Sequence, residues 1–222
     1  DDDVCIDFKC EEEAVSGVEV GDFLLIDPTC NYSFDYGNQL SLSGSGRVIV
    51  TMKRGVTSTS NYIYVKEGSN IILTIKDLNI ESLDGSALYF INNIGNCQLV
   101  LKGNNKFTTN KDSTPAIKKE SAGKLTILGD GKLTAMASAR RSTGIGSQFC
   151  DNLYIEGGTI YAKGSSEMGI GGDSHPREKN IYYKGGTVEG VGDGYGGITG
   201  EYINVIIQGG SIHAVNNGTD IS

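Results

Sequence analysis

The sequence predicts an all-β fold, a right-handed parallel β-helix (a solenoid) with 24–28 residues per rung. Three observations predict it. Short strand-like triplets recur at that spacing, paired glycines follow them, and a further series carries one aliphatic residue per repeat.

The first series is Leu73-Thr74-Ile75, Leu99-Val100-Leu101, Leu125-Thr126-Ile127, Leu153-Tyr154-Ile155, Ile181-Tyr182-Tyr183 and Val205-Ile206-Ile207. Val48-Ile49-Val50 extends it backwards, and residues 23–26 are a weaker member. The first and third residues of each triplet are apolar, the period of a strand with one buried face. The second series is Asn79-Ile80-Glu81, Lys106-Phe107-Thr108, Lys132-Leu133-Thr134, Thr159-Ile160-Tyr161, Thr187-Val188-Glu189 and Ser211-Ile212-His213. Between the two series stand Gly157-Gly158, Gly185-Gly186 and Gly209-Gly210, as a sharp corner requires. The third series is Ala87-Leu88, Ala116-Ile117, Gly144-Ile145, Gly169-Ile170 and Gly197-Ile198.

Three inward positions per repeat imply a coil with three short faces whose rungs pair as parallel strands about 4.8 Å apart. One rung cannot bury its apolar face, but stacked rungs share a core. The right hand follows from the general rule for parallel crossovers. On this alignment Ile80, Phe107, Leu133, Ile160, Val188 and Ile212 form one inward column, and Leu88, Ile117, Ile145, Ile170 and Ile198 another. A β-sandwich is the competing fold.

With 32 glycines, three prolines and no tryptophan, the chain is too rich in turns for long helices and too apolar for disorder. It reads as one domain, with residues 1–40 as a Cys-containing N-terminal cap and first strands. Residues 41–222 form the β-helix, truncated or continued at its C-terminus. A net charge of −8 argues against nucleic acid, and no apolar run reaches the length of a membrane span. A start at Asp1 rather than Met fits an export signal already removed.

Cys5, Cys10 and Cys30 crowd the first thirty residues, so a disulfide among them is the expectation, with free structural thiols as the alternative. Zinc is weaker, because no close Cys or His pair follows Cys5 and Cys10. Cys97 and Cys150 fall two rungs apart, about 9.6 Å by strand spacing, too far to bond directly. Asn31 and Asn217 begin N-glycosylation sequons.

Units such as GGTIYAKGSSEMGIGG, GGTVEGVGDGYGGI and GGSIHAVNNGTDI resemble the repeats of microbial secreted and surface β-helix proteins. These include the carbohydrate-binding-domain and pectate-lyase-like types. The resemblance covers residues 60–222. It implies an extracellular or cell-surface location and glycan binding, in some members with calcium.

No catalytic residue is assigned. Glu81 and Glu189 point outward four rungs apart, beyond the reach of a paired acid and base. Arg140, Arg141 and Arg177 are the only candidate lyase bases, and Ser142, Ser165 and Ser166 have no His at matching height. Asp84, Asp112, Glu167 and Asp193 precede the third series as a row of acids, with Arg140 and Arg141 on the intervening rung. Stacked carboxylates repel, so a calcium ion held by this row is one reading, and the turn preference of Asp is the other. Tyr154 and Tyr182 on adjacent rungs, with Tyr161 nearby, are candidate platforms for sugar rings, or simply good strand residues.

The leading expectation is a secreted or surface-displayed, non-catalytic module that binds a polysaccharide or cell-surface glycan. The alternatives are a stalk or filament subunit, self-associating head to tail through an open C-terminal end, and a polysaccharide lyase.

Overall fold

The computed structural model describes residues 16–35, 37–91, 93–120, 123–147, 149–172, 179–199 and 203–217. All regular structure among them is strand, arranged in three sheets that wrap one core. The first sheet holds nine strands: Val18–Val20, Phe23–Ile26, Ser45–Met52, Asn70–Lys76, Asn96–Lys102, Lys124–Gly129, Leu153–Ile155, Lys179–Tyr183 and Ile203–Ile207. The second holds six: Asn79–Ser82, Asn104–Thr109, Lys132–Ala137, Thr159–Gly164, Thr187–Gly192 and Ser211–Asn216. The third holds eight: Asn31–Asp35, Gln39–Ser43, Tyr62–Val65, Leu88–Phe90, Ile117–Lys119, Ile145–Gly146, Met168–Gly171 and Gly196–Thr199. From Gln39 onward, strands of successive rungs pair in parallel, which makes the chain a β-solenoid. None of the described residues forms a helix long and apolar enough to cross a membrane.

The N-terminal edge is built differently. Val18–Val20 pairs antiparallel with Phe23–Ile26, which pairs antiparallel with Ser45–Met52. Asn31–Asp35 likewise lies antiparallel to Gln39–Ser43. Residues 23–26 therefore join the first sheet against the direction the repeat suggests. Cys30 is a buried free thiol near this edge, its pKa raised by burial. Cys5 and Cys10, its expected bonding partners, lie outside the described residues.

The third-series column is as expected, Leu88–Ile117–Ile145–Ile170–Ile198, and it extends back through Ile63 to Leu40. The other two series need one correction. Leu99 pairs with Ile127 and Cys97 with Leu125, while Phe107 pairs with Ala135 and Asn105 with Leu133. Ile80 and Phe107 thus belong to a different column from Leu133, Ile160, Val188 and Ile212. The slip is two residues on both sheets. An even slip keeps every side chain on its face, so all these residues still point inward. Packing and hydrogen bonding favour it: Phe107 sits beside the small Ala135, and Asn105 takes the place beside Leu133.

Asn105 is buried and fully used. Its amide donates to the carbonyls of Lys102 at 2.9 Å and Lys132 at 3.1 Å, and its Oδ1 accepts from the Leu78 N–H at 3.1 Å. One side chain thereby fastens the same corner of three successive rungs.

A second polar residue enters the core on the third sheet. The column Leu42–Val65–Phe90 continues as Lys119, which is fully buried. Its Nζ donates to the Glu120 carbonyl at 2.6 Å, and the Lys119 carbonyl accepts from Ser147 Oγ at 2.7 Å. Burial lowers the Lys119 pKa, partly countered by Cys150 and Asp151. Cys97 and Cys150 are separate buried thiols. The Cys97 thiol donates to Ser69 O at 3.2 Å, and burial pushes the Cys150 pKa up to about 11.

Candidate functional site

The outward row of the third sheet decides where a ligand can lie. It reads Tyr64, Tyr89, Lys118, Gly146, Gly171, Thr199, each paired with the next. The first three form a ridge. Tyr64 and Tyr89 meet edge to face at 5.1 Å, and Lys118 Nζ lies 4.5 Å above the Tyr89 ring. Lys118 also pairs with Glu120 at 2.6 Å. Burial, with a hydrogen bond to Glu120, drives the Tyr89 pKa well above the ordinary phenol range.

Beyond Lys118 the row continues with two buried glycines, Gly146 and Gly171. Both are required by the backbone. Gly146 has φ +134° and Gly171 φ +147°, and a Cβ on Gly146 would fall 1.8 Å from the Gly171 carbonyl oxygen. A cleft of about 550 Å³ opens over this part of the sheet.

One wall comes from the turns that enter the strands, carrying Ser113, Pro115, Arg141, Thr143, Glu167 and Tyr195. Ser113, Arg141 and Ser166 each stand four residues before an inward Ile and each has a left-handed φ of 53–60°. The same turn is therefore repeated on three rungs, in a conformation that is strained for side chains other than glycine. Hydrogen bonds tie the turns together. Ser142 and Ser165 exchange backbone bonds of 3.1 and 2.8 Å, and Asp112 accepts from the Arg140 N–H at 3.2 Å.

The other wall follows the strands and carries Lys118, Glu120, Ser147 and Phe149. Ser147 anchors it through its bond to Lys119 and by accepting from the Phe149 N–H at 3.2 Å. Lys179 Nζ lies 4.9 Å from the centre of the Phe149 ring. Phe149 is nonetheless 42 % exposed and Tyr195 is 67 % exposed. Each wall therefore offers an aromatic ring to solvent, among hydroxyls and charges of both signs.

The expected tyrosine platform has a different environment. Tyr154 and Tyr182 do lie on adjacent rungs, but their rings stack on each other at 4.4 Å with 8° between planes. Lys124 and Lys184 lie 4.3 and 4.9 Å from the Tyr154 centroid. The Tyr154 ring is thus engaged by the protein itself. Tyr161 is on the second sheet, in the row Thr134–Tyr161–Glu189–His213.

Of the acids expected to hold calcium, Asp112 accepts from the Arg140 N–H, Asp193 pairs with Lys163 at 3.5 Å, and Glu167 lines the cleft. Among the described residues no three His, Cys, Asp or Glu side chains come together as a metal site. Asn31 is exposed on the edge strand, and Asn217 is exposed at the end of the last described segment; Gly218 and Thr219 of its sequon lie outside the described residues.

Sequence reasoning missed Lys118, Glu120, Phe149 and Tyr195. Two signals were present: the outward neighbour of each third-series aliphatic changes from Tyr and Lys to Gly, and Tyr195 stands alone between Gly194 and Gly196. Comparison with family models, curated proteins and solved structures finds no match for this chain.

Proposed function

We propose that this chain is a glycan-binding module that takes a short stretch of polysaccharide across the outer face of the third sheet. The observation that carries the reading is the pair of exposed rings, Phe149 and Tyr195, on the walls of a cleft otherwise lined by hydroxyls and charges. Sugars present both surfaces such a cleft complements. Their ring C–H faces pack on aromatic rings, and their hydroxyls exchange hydrogen bonds with Ser, Thr, Lys, Arg and Glu. The volume falls in the range of small-ligand pockets. The net charge of −8 favours this ligand over a nucleic acid.

The test is an oligosaccharide array spanning neutral and uronic-acid glycans, followed by calorimetry on those bound. Tyr195→Ala and Phe149→Ala should each weaken binding about tenfold, on the order of 1.4 kcal/mol. Tyr154→Ala should leave it unchanged. An array with no bound glycan, or equal binding by the Phe149→Ala/Tyr195→Ala double variant, would overturn the proposal.

A further inference from the structure

We propose that the cleft selects glycans that carry an acid group on alternate sugars rather than on successive ones, and that Arg141 receives the acid. The inference rests on the glycan-binding reading of the cleft and names the class of sugar it takes. Two cations line the cleft, Lys118 and Arg141. Lys118 is matched within the protein, by Glu120 at 2.6 Å and by the Tyr89 ring. Arg141 is exposed, and among the described residues no hydrogen bond, ion pair or ring contact engages its guanidinium.

The backbone under Arg141 makes this pointed. Its φ of +53° lies in the left-handed region, which disfavours any residue with a Cβ. The rungs on either side place Ser113 and Ser166 at the same point of the turn, so a long side chain is not what the turn needs. Its neighbours hold the strained residue in place. The Arg140 N–H donates to Asp112 at 3.2 Å, and the Arg140 carbonyl accepts from the Ser113 N–H at 2.9 Å. On the other side Ser142 exchanges backbone bonds with Ser165. A cation on a fixed, strained base with no internal partner is placed for a ligand, and the fixed base reduces the ordering that binding costs.

The guanidinium fork fits the oxygens of a carboxylate or a sulfate ester. What lies beside it limits how many such groups the glycan can carry. Glu167 lines the same wall one rung further on, next to Ser166, which occupies the position equivalent to Arg141. Rungs are about 4.8 Å apart, comparable to the length of one sugar unit. In a glycan laid along this wall, an acid opposite Arg141 therefore puts the following sugar opposite a carboxylate. A second acid there meets like charge, while a neutral sugar meets a hydrogen-bond acceptor. The net charge of −8 adds a general repulsion against a chain that is acidic at every unit.

Calorimetry with four hexasaccharides tests the proposal: neutral cellohexaose, hyaluronan (uronic acid alternating with neutral sugar), keratan sulfate (sulfate esters without uronic acid) and oligogalacturonate, acidic at every unit. Hyaluronan or keratan sulfate should bind at least about tenfold tighter than cellohexaose and oligogalacturonate, and whichever does identifies the acid as carboxylate or sulfate ester. Arg141→Gly should erase that preference. Glycine adopts the left-handed φ without strain, so the melting temperature should not fall and the fold is preserved. Glu167→Gln should improve binding of oligogalacturonate more than of the other three. Cellohexaose or oligogalacturonate binding as tightly as the alternating acids, a preference that survives Arg141→Gly, or no gain for oligogalacturonate in Glu167→Gln would each overturn this inference while glycan binding stood. An oligosaccharide array with nothing bound would overturn it together with the reading it rests on.

Discussion

Replacing Tyr183 with phenylalanine isolates the contribution of a single buried oxygen. Tyr183 continues the inward column of Val48, Leu73, Leu99, Ile127 and Ile155, all aliphatic. It is fully buried, and its hydroxyl has no hydrogen-bond partner among the described residues. Burial, and after it the neighbouring Cys150, drives the phenol pKa far above its ordinary value of 10.0. Tyr183→Phe keeps the ring and leaves no void larger than one oxygen, so the packing loss is small. The gain is the desolvation cost of an unmet hydroxyl, about 1–3 kcal/mol. For a domain of this size that is roughly 2–12 °C in melting temperature. Urea unfolding should show a higher midpoint at unchanged slope. The sign in alkali is also fixed. With the folded pKa raised, the folded state keeps a proton that the unfolded chain gives up above pH 10.0, so Tyr183 makes the wild type lose stability there, a share of the alkaline loss that the phenylalanine variant is spared. The gap between them should widen as pH rises past that value. A variant less stable by about 1 kcal/mol or more would refute the reasoning, since it would show that the hydroxyl holds a hydrogen bond worth that much.

Asn105→Ala strips the partner from the buried Leu78 N–H and from two corner carbonyls, and should cost about 3 kcal/mol in urea unfolding. A loss under about 1 kcal/mol would mean that water takes over the corner. Lys119→Met removes an ammonium that burial disfavours, and should stabilise the chain at neutral pH by about 1–4 kcal/mol. Because the folded pKa lies below the unfolded 10.5, the wild type should gain stability as pH climbs towards 10.5, and the advantage of methionine should shrink over the same window. A constant difference across that window, followed by denaturant titration, would show that Lys119 keeps its ordinary affinity for a proton.

The parts of the fold legible in the sequence are those enforced by repetition. The third-series column from Leu88 to Ile198 could be read directly, because each rung offers one aliphatic after a small residue. The small residue has its own cause. A Cβ on Gly144 would come within 2.6 Å of Gly169 O and 2.7 Å of Lys163 N, so the third sheet is pressed against the second there. The two-residue slip at Leu99 and Phe107 was not legible, since alternation of apolar residues fixes the face but not the register. Nor was the antiparallel run of residues 23–26, whose alternation is the same in either direction. The cleft escaped for a different reason. Its walls are turns, and turns carry no periodicity that would bring Phe149 and Tyr195 together across separate rungs.

The corners give the solenoid room to change. Along the inward columns, neighbouring rungs are offset by 26 residues from Leu73 to Leu99, 29 from Leu88 to Ile117 and 24 from Tyr183 to Ile207. Those differences fall between strands and leave the ladders unbroken. A single extra residue inside a strand would instead turn the side chains beyond it from core to solvent. Lengthening by descent should therefore accumulate in the turns that build the cleft wall, where Ser113, Arg141 and Ser166 repeat one backbone shape under three different residue contexts. Those turns are the places to graft new loops if the specificity of the cleft is to be redrawn without touching the core.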